Sequence, residues 1–256
     1  MEHLIKIDLK RCIGCGKCVK DCPQFNIEID NRNKAVVKSQ DCIKCGHCVA
    51  VCPMEAVSIS GYDEKPYRIE DMEKIDPTRL MNSLISRRSI RAFKEKDVPE
   101  EIIQRIIEAG RWTPTGKNAQ DVEYIIIQKK KRQVEAIAIK VFKRILKLIK
   151  VFRKSYKDIV IDEKFFFKGA PLVIVVVSKS SVDGALAASN MALMAEANGL
   201  GVLYSGFFTV AARVSGKIRK ELEIKGKKPI TTLVIGYSDV EYRRSVQKER
   251  AAVIRK

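Results

Sequence analysis

The chain has 256 residues, of which 46% are hydrophobic, and a formal net charge of +18 at pH 7. Its longest uninterrupted apolar run, residues 172–177, is the length of a strand and far shorter than the roughly 18 residues of a membrane span. The first ten residues lack the apolar stretch and the small-residue cleavage site of a secretion signal. We therefore expect a soluble, cytoplasmic protein with one large domain or two smaller ones.

All eight cysteines lie between residues 12 and 52, in two copies of the pattern C-x2-C-x2-C-x3-C-P. This spacing is typical of bacterial ferredoxins with 4Fe–4S clusters, in which the fourth cysteine ligates the other cluster. Disulfides are disfavoured in a reducing cytosol, and zinc sites usually use pairs of cysteines. The pattern therefore predicts two clusters with these ligands: Cys12, Cys15, Cys18 and Cys52 for cluster I, and Cys42, Cys45, Cys48 and Cys22 for cluster II.

The cysteine-rich segment has internal symmetry. Residues 8–30 and 38–60 each contain a short apolar segment, a cysteine loop and a strand pattern, the last at residues 26–30 and 56–60. This order resembles the two-cluster bacterial ferredoxins, which implies their pseudo-twofold fold and one-electron chemistry at low potential. We predict a ferredoxin domain over residues 1–60, followed by a polar linker with prolines over residues 61–77.

From residue 78 onward the pattern predicts an α+β domain with a mixed sheet flanked by helices. Helices are expected at residues 79–85, 99–109 and 185–198, the last two closed by a glycine. The third of these is small and apolar, which suits close helix packing, including packing across a dimer interface. β-Branched runs predict strands at residues 122–128, 172–178 and 230–236.

Residues 129–154 predict a long basic amphipathic helix. Its apolar face would consist of Ile137, Val141, Ile145, Leu148 and Phe152, with lysines and arginines elsewhere. A solvated helix that covers the core explains this pattern. A docking face for an acidic protein and contact with an anionic membrane surface are the alternatives.

Three further motifs in this second part of the chain contain basic or amide side chains. SRRSIR at residues 86–91 has three guanidinium groups and two hydroxyls, a combination that suits a phosphate monoester. TPTGKNAQ at residues 113–120 is a loop rich in small and amide side chains between a predicted helix and strand. Near the C-terminus, Gly236-Tyr237 is followed by Arg243-Arg244.

The order R-R-S-x-R, P-[ST]-x-x-N-x-Q, a G-L-G helix end and then G-Y with arginines resembles the nitroreductase family of FMN-dependent oxidoreductases. The resemblance spans about residues 78 to 250. It implies a nitroreductase-like domain over residues 78–256 and a homodimer with FMN at the subunit interface. The FMN-binding residues that it implies are Arg87 and Ser89 at the phosphate with Arg88 adjacent, Arg91 at the pyrimidine edge, Thr115, Asn118 and Gln120 from the partner subunit, Ser205 and Gly206 beside the flavin N5, and Arg243 or Arg244 at the phosphate.

The sequence departs from this family pattern in places. Asp121-Val122 follows the Asn-x-Gln motif where many members have Pro-Trp, and Ser205 stands where some members have an acidic residue. Phe165, Phe166 and Phe167 are equally compatible with lining the substrate side of the flavin and with packing in the core.

These features together predict an oxidoreductase that passes electrons between two 4Fe–4S clusters, FMN and a small organic acceptor such as a nitroaromatic, quinone or enone-like compound. The chemistry takes place at the flavin N5, so no catalytic side chain is expected. A specialised enzyme of the same fold with another substrate is one alternative. A basic redox sensor that binds nucleic acid is another, but the lysines are dispersed and no DNA-reading motif is present, so no nucleic acid partner is expected.

The net charge also bears on partners. Two clusters and the FMN phosphate at about −2 each would leave the loaded protein near +12. Such a surface suits an acidic electron carrier, ferredoxin or flavodoxin, as a docking partner.

Overall fold

The computed structural model describes residues 3–152 and 159–256. The chain forms two compact units. Unit 1 consists of Met1–Lys74 together with Thr115–Ala119, and unit 2 consists of Ile75–Pro114 and Gln120–Lys256. The domain boundaries at residues 60 and 77 stay predictions. No pattern in the sequence predicts that a five-residue segment about 40 residues beyond Lys74 belongs to unit 1.

Unit 1 contains four short strands in two antiparallel pairs, β1 with β4 and β2 with β3. The strands predicted at residues 26–30 and 56–60 are present in shorter form as β2 and β4. A 3-10 turn is formed at Ile69–Asp71 and another at Gly116–Asn118. The strands and helices of unit 1 are β1 (Ile5–Ile7), α1 (Lys17–Lys20), β2 (Ile27–Ile29), β3 (Ala35–Val37), α2 (His47–Ala50) and β4 (Val57–Ile59).

Unit 2 is built around a four-stranded antiparallel sheet with the order β5-β6-β8-β7. The three strands expected from β-branched runs are β5, β6 and β8, which are neighbours in this sheet. The short elements β7, α7 and α8 were not predicted. The elements of unit 2 are α3 (Pro77–Ser86), α4 (Glu100–Arg111), β5 (Glu123–Ile127), α5 (Lys131–Phe152), β6 (Leu172–Ser178), α6 (Ser181–Ala197), β7 (Gly201–Tyr204), α7 (Gly206–Val214), α8 (Gly216–Glu221) and β8 (Lys228–Gly236).

Strand β6 is buried along its whole length because helices cover both faces of the sheet. Its odd-numbered residues, such as Val173 and Val175, pack in one core with α5, α7 and α8. Its even-numbered residues, such as Ile174 and Val176, pack in a second core with α4 and α6. Burial on both faces explains why the sequence of this strand is an uninterrupted apolar run rather than an alternating one.

Helix α5 covers the first of these cores, as the solvated-helix interpretation predicted. The residues that it buries are Val134, Ala138, Phe142 and Leu146, each four positions after the last. Ile137 and Val141, which were predicted on the apolar face, are only half-buried beside this stripe. The side chains of the other three residues predicted on that face, and residues 153–154, lie outside the described part of the chain.

Two further observations concern the length of the helices and the C-terminal segment. No helix within residues 3–152 and 159–256 is long and apolar enough to cross a membrane. Beyond Ser238 the chain is exposed and forms neither a helix nor a strand.

Candidate functional site

Unit 1 has two cavities, and each is lined by four cysteines from two parts of the chain. Three cysteines of one loop and the fourth cysteine of the other loop line each cavity, as the cluster prediction requires. Within the described residues, no three His, Cys, Asp or Glu side chains are placed to hold a single metal ion, so the cysteines of each cavity would surround a cluster and not one ion. The first cavity is lined by Cys12, Cys15, Cys18 and Cys52, and the second by Cys22, Cys42, Cys45 and Cys48.

Backbone amides donate to several of these sulfurs. The amide of Asn26 is 3.3 Å from the Cys22 sulfur, and the amide of Ala56 is 3.2 Å from the Cys52 sulfur. Both pairs are four residues apart, so the two halves of the unit repeat this contact. Hydrogen bonds of this kind stabilise negative charge on thiolates and adjust the properties of a metal centre.

All eight cysteines are free of disulfides. Burial raises the pKa of Cys48 to about 11 and also raises the pKa of Cys18. Both side chains are therefore protonated thiols near neutral pH when no metal is bound. Iron would supply the positive charge that favours the thiolate form, so the residues present fit an iron–sulfur cluster in each cavity.

The arginine-rich segment of unit 2 runs along the edge of the sheet. Asp76 caps the start of helix α3 because its carboxylate accepts a hydrogen bond from the amide of Arg79 at 2.7 Å, and the helix ends at Ser86. After the helix, Ser89 forms a parallel bridge with Val202 of β7. This bridge is a parallel pairing at the edge of an otherwise antiparallel sheet, for which a mixed sheet was predicted. A side chain at Gly201 would place its Cβ 2.3 Å from Ile90, so the absence of one allows this close approach.

Three guanidinium nitrogens of this segment are buried without a partner, although the two arginines are half-buried as residues. Arg87 Nη1, Arg88 Nε and Arg88 Nη2 are buried and have no hydrogen-bond partner among the described residues. The remaining donors include Arg88 Nη1, which donates to the Arg87 carbonyl at 2.6 Å. Because unpaired buried donors are unfavourable, an anion bound here would be stabilised by these groups. The residues present therefore fit a phosphate group.

The surroundings of Arg87 are partly aromatic and partly acidic. Its guanidinium carbon is 6.0 Å from the centroid of the Tyr204 ring. Burial raises the pKa of Glu196, while the positive charge of Arg87 opposes that shift. One carboxylate oxygen of Glu196 is buried without a partner among the described residues. Arg91, in contrast, is exposed and donates to the Ser89 carbonyl at 3.3 Å.

The start of α7 presents free amides. Ser205 is buried, its amide donates to the Thr232 carbonyl at 2.8 Å, and its hydroxyl donates to the Phe166 carbonyl at 3.0 Å. These bonds fix the turn before the helix. The amides of Gly206 and Phe207 have no acceptor in the described ranges of the chain. Such amides can donate to an acceptor on a bound ligand.

The three consecutive phenylalanines divide between two environments. Phe166 and Phe167 are 1% exposed and belong to the core, which decides between the two alternatives for these residues. Phe165 is half-buried and stacks on Phe207, with ring centroids 5.8 Å apart. Glu135 of α5 holds this turn, because its carboxylate accepts the amides of Phe166 and Phe167 at 2.8 and 2.9 Å.

The sequence did not predict the structural role of Glu135 beside the proposed site. Burial raises the pKa of its carboxyl group, and the two amide hydrogen bonds oppose that effect. Its position directly after Val134, in the buried stripe of α5, was the available signal. The predicted apolar face did not include Val134 or Glu135, and no role was predicted for this carboxyl group.

The loop at residues 113–120 does not belong to unit 2 as a whole, which the sequence did not predict. Thr115 and Asn118 belong to unit 1, and the Asn118 side-chain amide donates to the carbonyls of Ile43 and Lys44 at 2.9 and 3.1 Å. Gln120 belongs to unit 2. The motif is therefore divided between the two units, and its contribution to a partner's site stays a prediction.

The departures from the family pattern have a structural explanation in one case. Asp121 accepts the hydroxyl of Ser178 at 3.0 Å and the amide of Lys179 at 2.9 Å, so it ties the start of β5 to the end of β6. The Lys179 amide is the main reason that the pKa of Asp121 is lowered. Arg243 and Arg244 are exposed and form no hydrogen bond or ion pair with any described residue, so the structure does not select between them.

Comparisons with known proteins match both parts of the chain to known families. Residues 84–237 match the model of the nitroreductase family, and residues 4–53 match that of a 4Fe–4S dicluster domain. A relative from Methanothermobacter thermautotrophicus, named as an NADH dehydrogenase/NAD(P)H nitroreductase, is 25% identical over 174 residues, which cover 64% of this chain and 80% of the relative.

Solved structures show the same fold. A nitroreductase with bound FMN from Bacteroides fragilis superimposes with a TM-score of 0.57 at 18% identity, covering 69% of this chain and 98% of that one. A nitroreductase with bound FMN from Desulfitobacterium hafniense gives 0.56 at 22% identity, covering 68% and 97%. The fold and the match define an oxidoreductase. The chain belongs to the nitroreductase family and has an N-terminal 4Fe–4S dicluster ferredoxin domain, which confirms the family prediction.

Proposed function

We propose that this protein is an FMN-dependent oxidoreductase in which two 4Fe–4S clusters exchange electrons with FMN, which in turn reduces a small organic acceptor. The observation that carries the proposal is the set of three buried guanidinium nitrogens of Arg87 and Arg88 that have no hydrogen-bond partner among the described residues. They lie beside a nitroreductase-type sheet in a chain that also has two four-cysteine cavities. Both nitroreductases compared above are named as having bound FMN.

The phosphate of FMN would bind at the arginine segment. Arg87 and Arg88 supply buried donors that no other described group satisfies, and the Ser89 hydroxyl supplies a neutral one. Arg91 is exposed and would meet the pyrimidine edge of the ring, where a positive charge favours the reduced anionic flavin.

The ring of FMN would bind at the start of α7. The free amide of Gly206, held in place by the two hydrogen bonds of Ser205, would donate to the flavin N5. Phe165 and Phe207 would form the apolar wall on which an organic acceptor packs. When bound, FMN accepts electrons singly and passes two of them, as a hydride, to the acceptor. The amide groups of Thr115, Asn118 and Gln120, and either Arg243 or Arg244, would complete the site.

We infer that the protein works as a homodimer. Helix α3 exposes Met81, Leu84 and Ile85, three apolar residues at helical spacing. Helix α7 exposes Phe207, Val210 and Val214 in the same way. Exposed apolar faces of this size are typical of subunit interfaces, and the second of them directly follows the proposed flavin site.

The electron donor would be a low-potential one-electron carrier or a reduced nicotinamide. The high positive charge favours docking of acidic carriers such as ferredoxin or flavodoxin. The relative from Methanothermobacter is named for activity with NADH and NAD(P)H, which supports reduced nicotinamides as the other donors to test.

Anaerobic reductive titration of the reconstituted protein tests the proposal. Dithionite, NADH, NADPH and reduced ferredoxin are added in turn while cluster and flavin absorbance are followed separately. We expect the clusters to be reduced and the flavin to be bleached by electrons from them. As a control, the Arg87→Ala/Arg88→Ala protein should hold clusters but little FMN. Reduced clusters that leave bound flavin oxidised, or a protein that takes up no FMN, would overturn the proposal.

A further inference from the structure

The two cysteine loops of unit 1 repeat one another, and each has an equivalent strand beside it. The first ligands of the two loops are Cys12 and Cys42. Ala35 of β3 lines the first cavity, and Ile5 of β1 lines the second. The two residues of each pair are 30 positions apart in the sequence. A residue beside one cavity therefore has a counterpart beside the other, and the two surroundings can be compared position by position.

Backbone amides do not distinguish the two cavities. The Cys12 sulfur accepts the amide of Ala35 at 3.4 Å. The Cys42 sulfur accepts the amide of Lys44, also at 3.4 Å. In each cavity, the cysteine that comes from the other loop accepts a second amide, as described above. Because each cavity has two sulfurs with an amide donor among the described residues, these bonds would stabilise the two clusters to a similar extent.

A buried cation distinguishes the first cavity. The ammonium group of Lys34, one residue before Ala35, donates to the carbonyl of Cys12, and the lysine is half-buried. It forms no ion pair with any residue that the structure describes. The counterpart of Lys34 beside the second loop is Leu4, which has no charge. The cation therefore lies next to a ligand of cluster I and has no equivalent at cluster II.

The cationic side chains of the second loop contact other groups. The ammonium group of Lys44 donates to the carbonyl of Gln40, which precedes the first ligand of this loop. The ring of His47 is 3.2 Å from the carboxylate of Asp21, a group that would offset a positive charge on the ring. Among the described residues, no cationic side chain donates to one of the four cysteines of the second cavity.

The turn between β2 and β3 holds Lys34 in this place. A Cβ at Gly14 would lie 2.2 Å from the Asn33 carbonyl oxygen, so the glycine lets the first loop approach the turn. The carboxylate of Asp30 accepts the amides of Arg32 and Lys34 at 3.0 and 2.8 Å. The same carboxylate pairs with the guanidinium group of Arg32 at 3.3 Å. Its negative charge is therefore offset by Arg32 and not by the Lys34 ammonium group.

We propose that Lys34 makes the two cluster sites unequal, so that cluster I accepts an electron more readily than cluster II. Reduction adds one negative charge to a cluster, and a cation held beside one of its ligands stabilises that charge. Partial burial of the ammonium group limits screening by water and salt. This inference rests on the part of the proposed function that assigns a cluster to each cavity, and it does not involve the flavin.

The first electron that enters the protein would reside mainly on cluster I. One electron from dithionite, which is oxidised to sulfite, lowers the charge of that cluster by one unit, and no bond within the protein is made or broken. A second electron then reduces cluster II, which is the stronger reductant of the two. The two clusters would therefore hold electrons at different potentials although both have four cysteine ligands.

Partial reduction of the full-length protein tests this order. The protein is reconstituted with iron and sulfide, before FMN is added, and receives one electron equivalent of dithionite under anaerobic conditions. Low-temperature EPR spectra quantify the reduced form of each cluster. Cys15→Asp and Cys45→Asp, which each replace one ligand, assign the two signals. We expect the signal of cluster I to be at least threefold larger than that of cluster II.

Three substitutions at Lys34 separate its charge from its hydrogen bond. At a fixed potential, Lys34→Met should lower the ratio of reduced to oxidised cluster I about tenfold, which is about 59 mV for a one-electron couple. Lys34→Gln keeps a donor for the Cys12 carbonyl but no charge, so it should have the same effect. Lys34→Arg keeps the charge and should retain most of the original ratio. The ratio for cluster II should change less than twofold in all three proteins.

Lys17→Met is the matched control. This lysine precedes Cys18 in the first loop, but it is exposed, so removing its charge should change the ratio for cluster I less than threefold. Equal shifts from Lys17→Met and Lys34→Met would show that only the net charge matters. A Lys34→Gln protein with the original ratio would show that the hydrogen bond matters and the charge does not. Either result would overturn the inference.

The outcomes also separate this inference from the proposed function. If the reconstituted protein takes up fewer than two clusters, the proposed function fails at its first step. If it takes up two clusters that are reduced equally by one electron, the inference is wrong and the proposed function is unaffected.

Discussion

The two units are suited to hold their cofactors in different ways. In unit 1 the core is small, and three of its eight buried residues are the cysteines Cys12, Cys18 and Cys48. In unit 2 both faces of the sheet are covered by large clusters of apolar side chains. An iron–sulfur cluster would therefore be part of the core of unit 1, whereas FMN would bind to a core that is already packed.

The largest expected effect comes from removing iron. Chelation under anaerobic conditions should unfold unit 1, because metal binding supplies folding free energy that its small core does not. Hydrogen exchange should show loss of protection in β1 and β4 while β6 and β8 stay protected. The control is removal of FMN, which should leave protection in all four strands. Retained protection at Ile5 and Ile59 after iron loss would contradict the comparison.

The next largest effect concerns the arginine pair. The double substitution Arg87→Ala/Arg88→Ala should weaken FMN binding about 100-fold or more, since hydrogen bonds to charged groups contribute about 1.5–3 kcal/mol each. Quenching of FMN fluorescence measures the dissociation constant. The exposed Arg91→Ala is the control and should weaken binding less than tenfold. Equal losses in both proteins would show that burial of the guanidinium groups does not matter.

A smaller effect, on stability rather than binding, is expected at Glu135. Glu135→Leu leaves the amides of Phe166 and Phe167 without an acceptor and should lower the free energy of unfolding by about 2–4 kcal/mol. Denaturant unfolding followed by tryptophan fluorescence measures this change. Glu135→Gln keeps the acceptor oxygen and should change stability by less than about 1 kcal/mol at low pH.

The pH dependence of the same pair of proteins provides a further check. Burial raises the folded-state pKa of Glu135 above its unfolded value, so the neutral carboxyl group is favoured in the folded protein. The contribution of Glu135 is therefore full below its unfolded pKa and declines as pH rises through its folded pKa. The stability of Glu135→Gln relative to the unaltered protein should increase over that interval. A constant difference would contradict burial of the carboxyl group.

The smallest expected effect is at Glu196. Its carboxylate lies close enough to Arg87 to oppose a bound phosphate, so Glu196→Gln should tighten FMN binding, by about threefold. The dissociation constant at two salt concentrations measures this, because the difference should shrink at higher salt. Weaker binding in the variant would show that Glu196 orients Arg87 instead.

The sequence predicted best what depends on short-range spacing. The cysteine pattern specified two sets of four residues, and the structure places the same sets around two cavities. Strand β6 was predicted with its observed bounds, because a short uninterrupted run of β-branched residues is typical of a buried strand. Helices α3 and α4 were found to within two residues at each end from proline, glycine and apolar spacing.

The contacts that the sequence did not predict join distant parts of the chain. Glu135 accepts amides about 30 residues away, Asp121 joins two strands, and Asn118 contacts a loop 75 residues earlier. No local pattern encodes such partners. The burial of Arg87 and Arg88 was equally hidden, since a cluster of arginines in a sequence is most often solvated.

The segment Thr115–Ala119 also limits how the protein can be divided. Its residues belong to unit 1, although both of its flanks belong to unit 2. Cutting the gene after residue 74 would therefore not excise one intact module and leave another. The shortened protein would keep Asn118 but lose the carbonyls that it binds, and the freed ferredoxin would lack the donor for its second loop. A fusion protein built from unit 1 should therefore include the segment Thr115–Ala119 as well as Met1–Lys74.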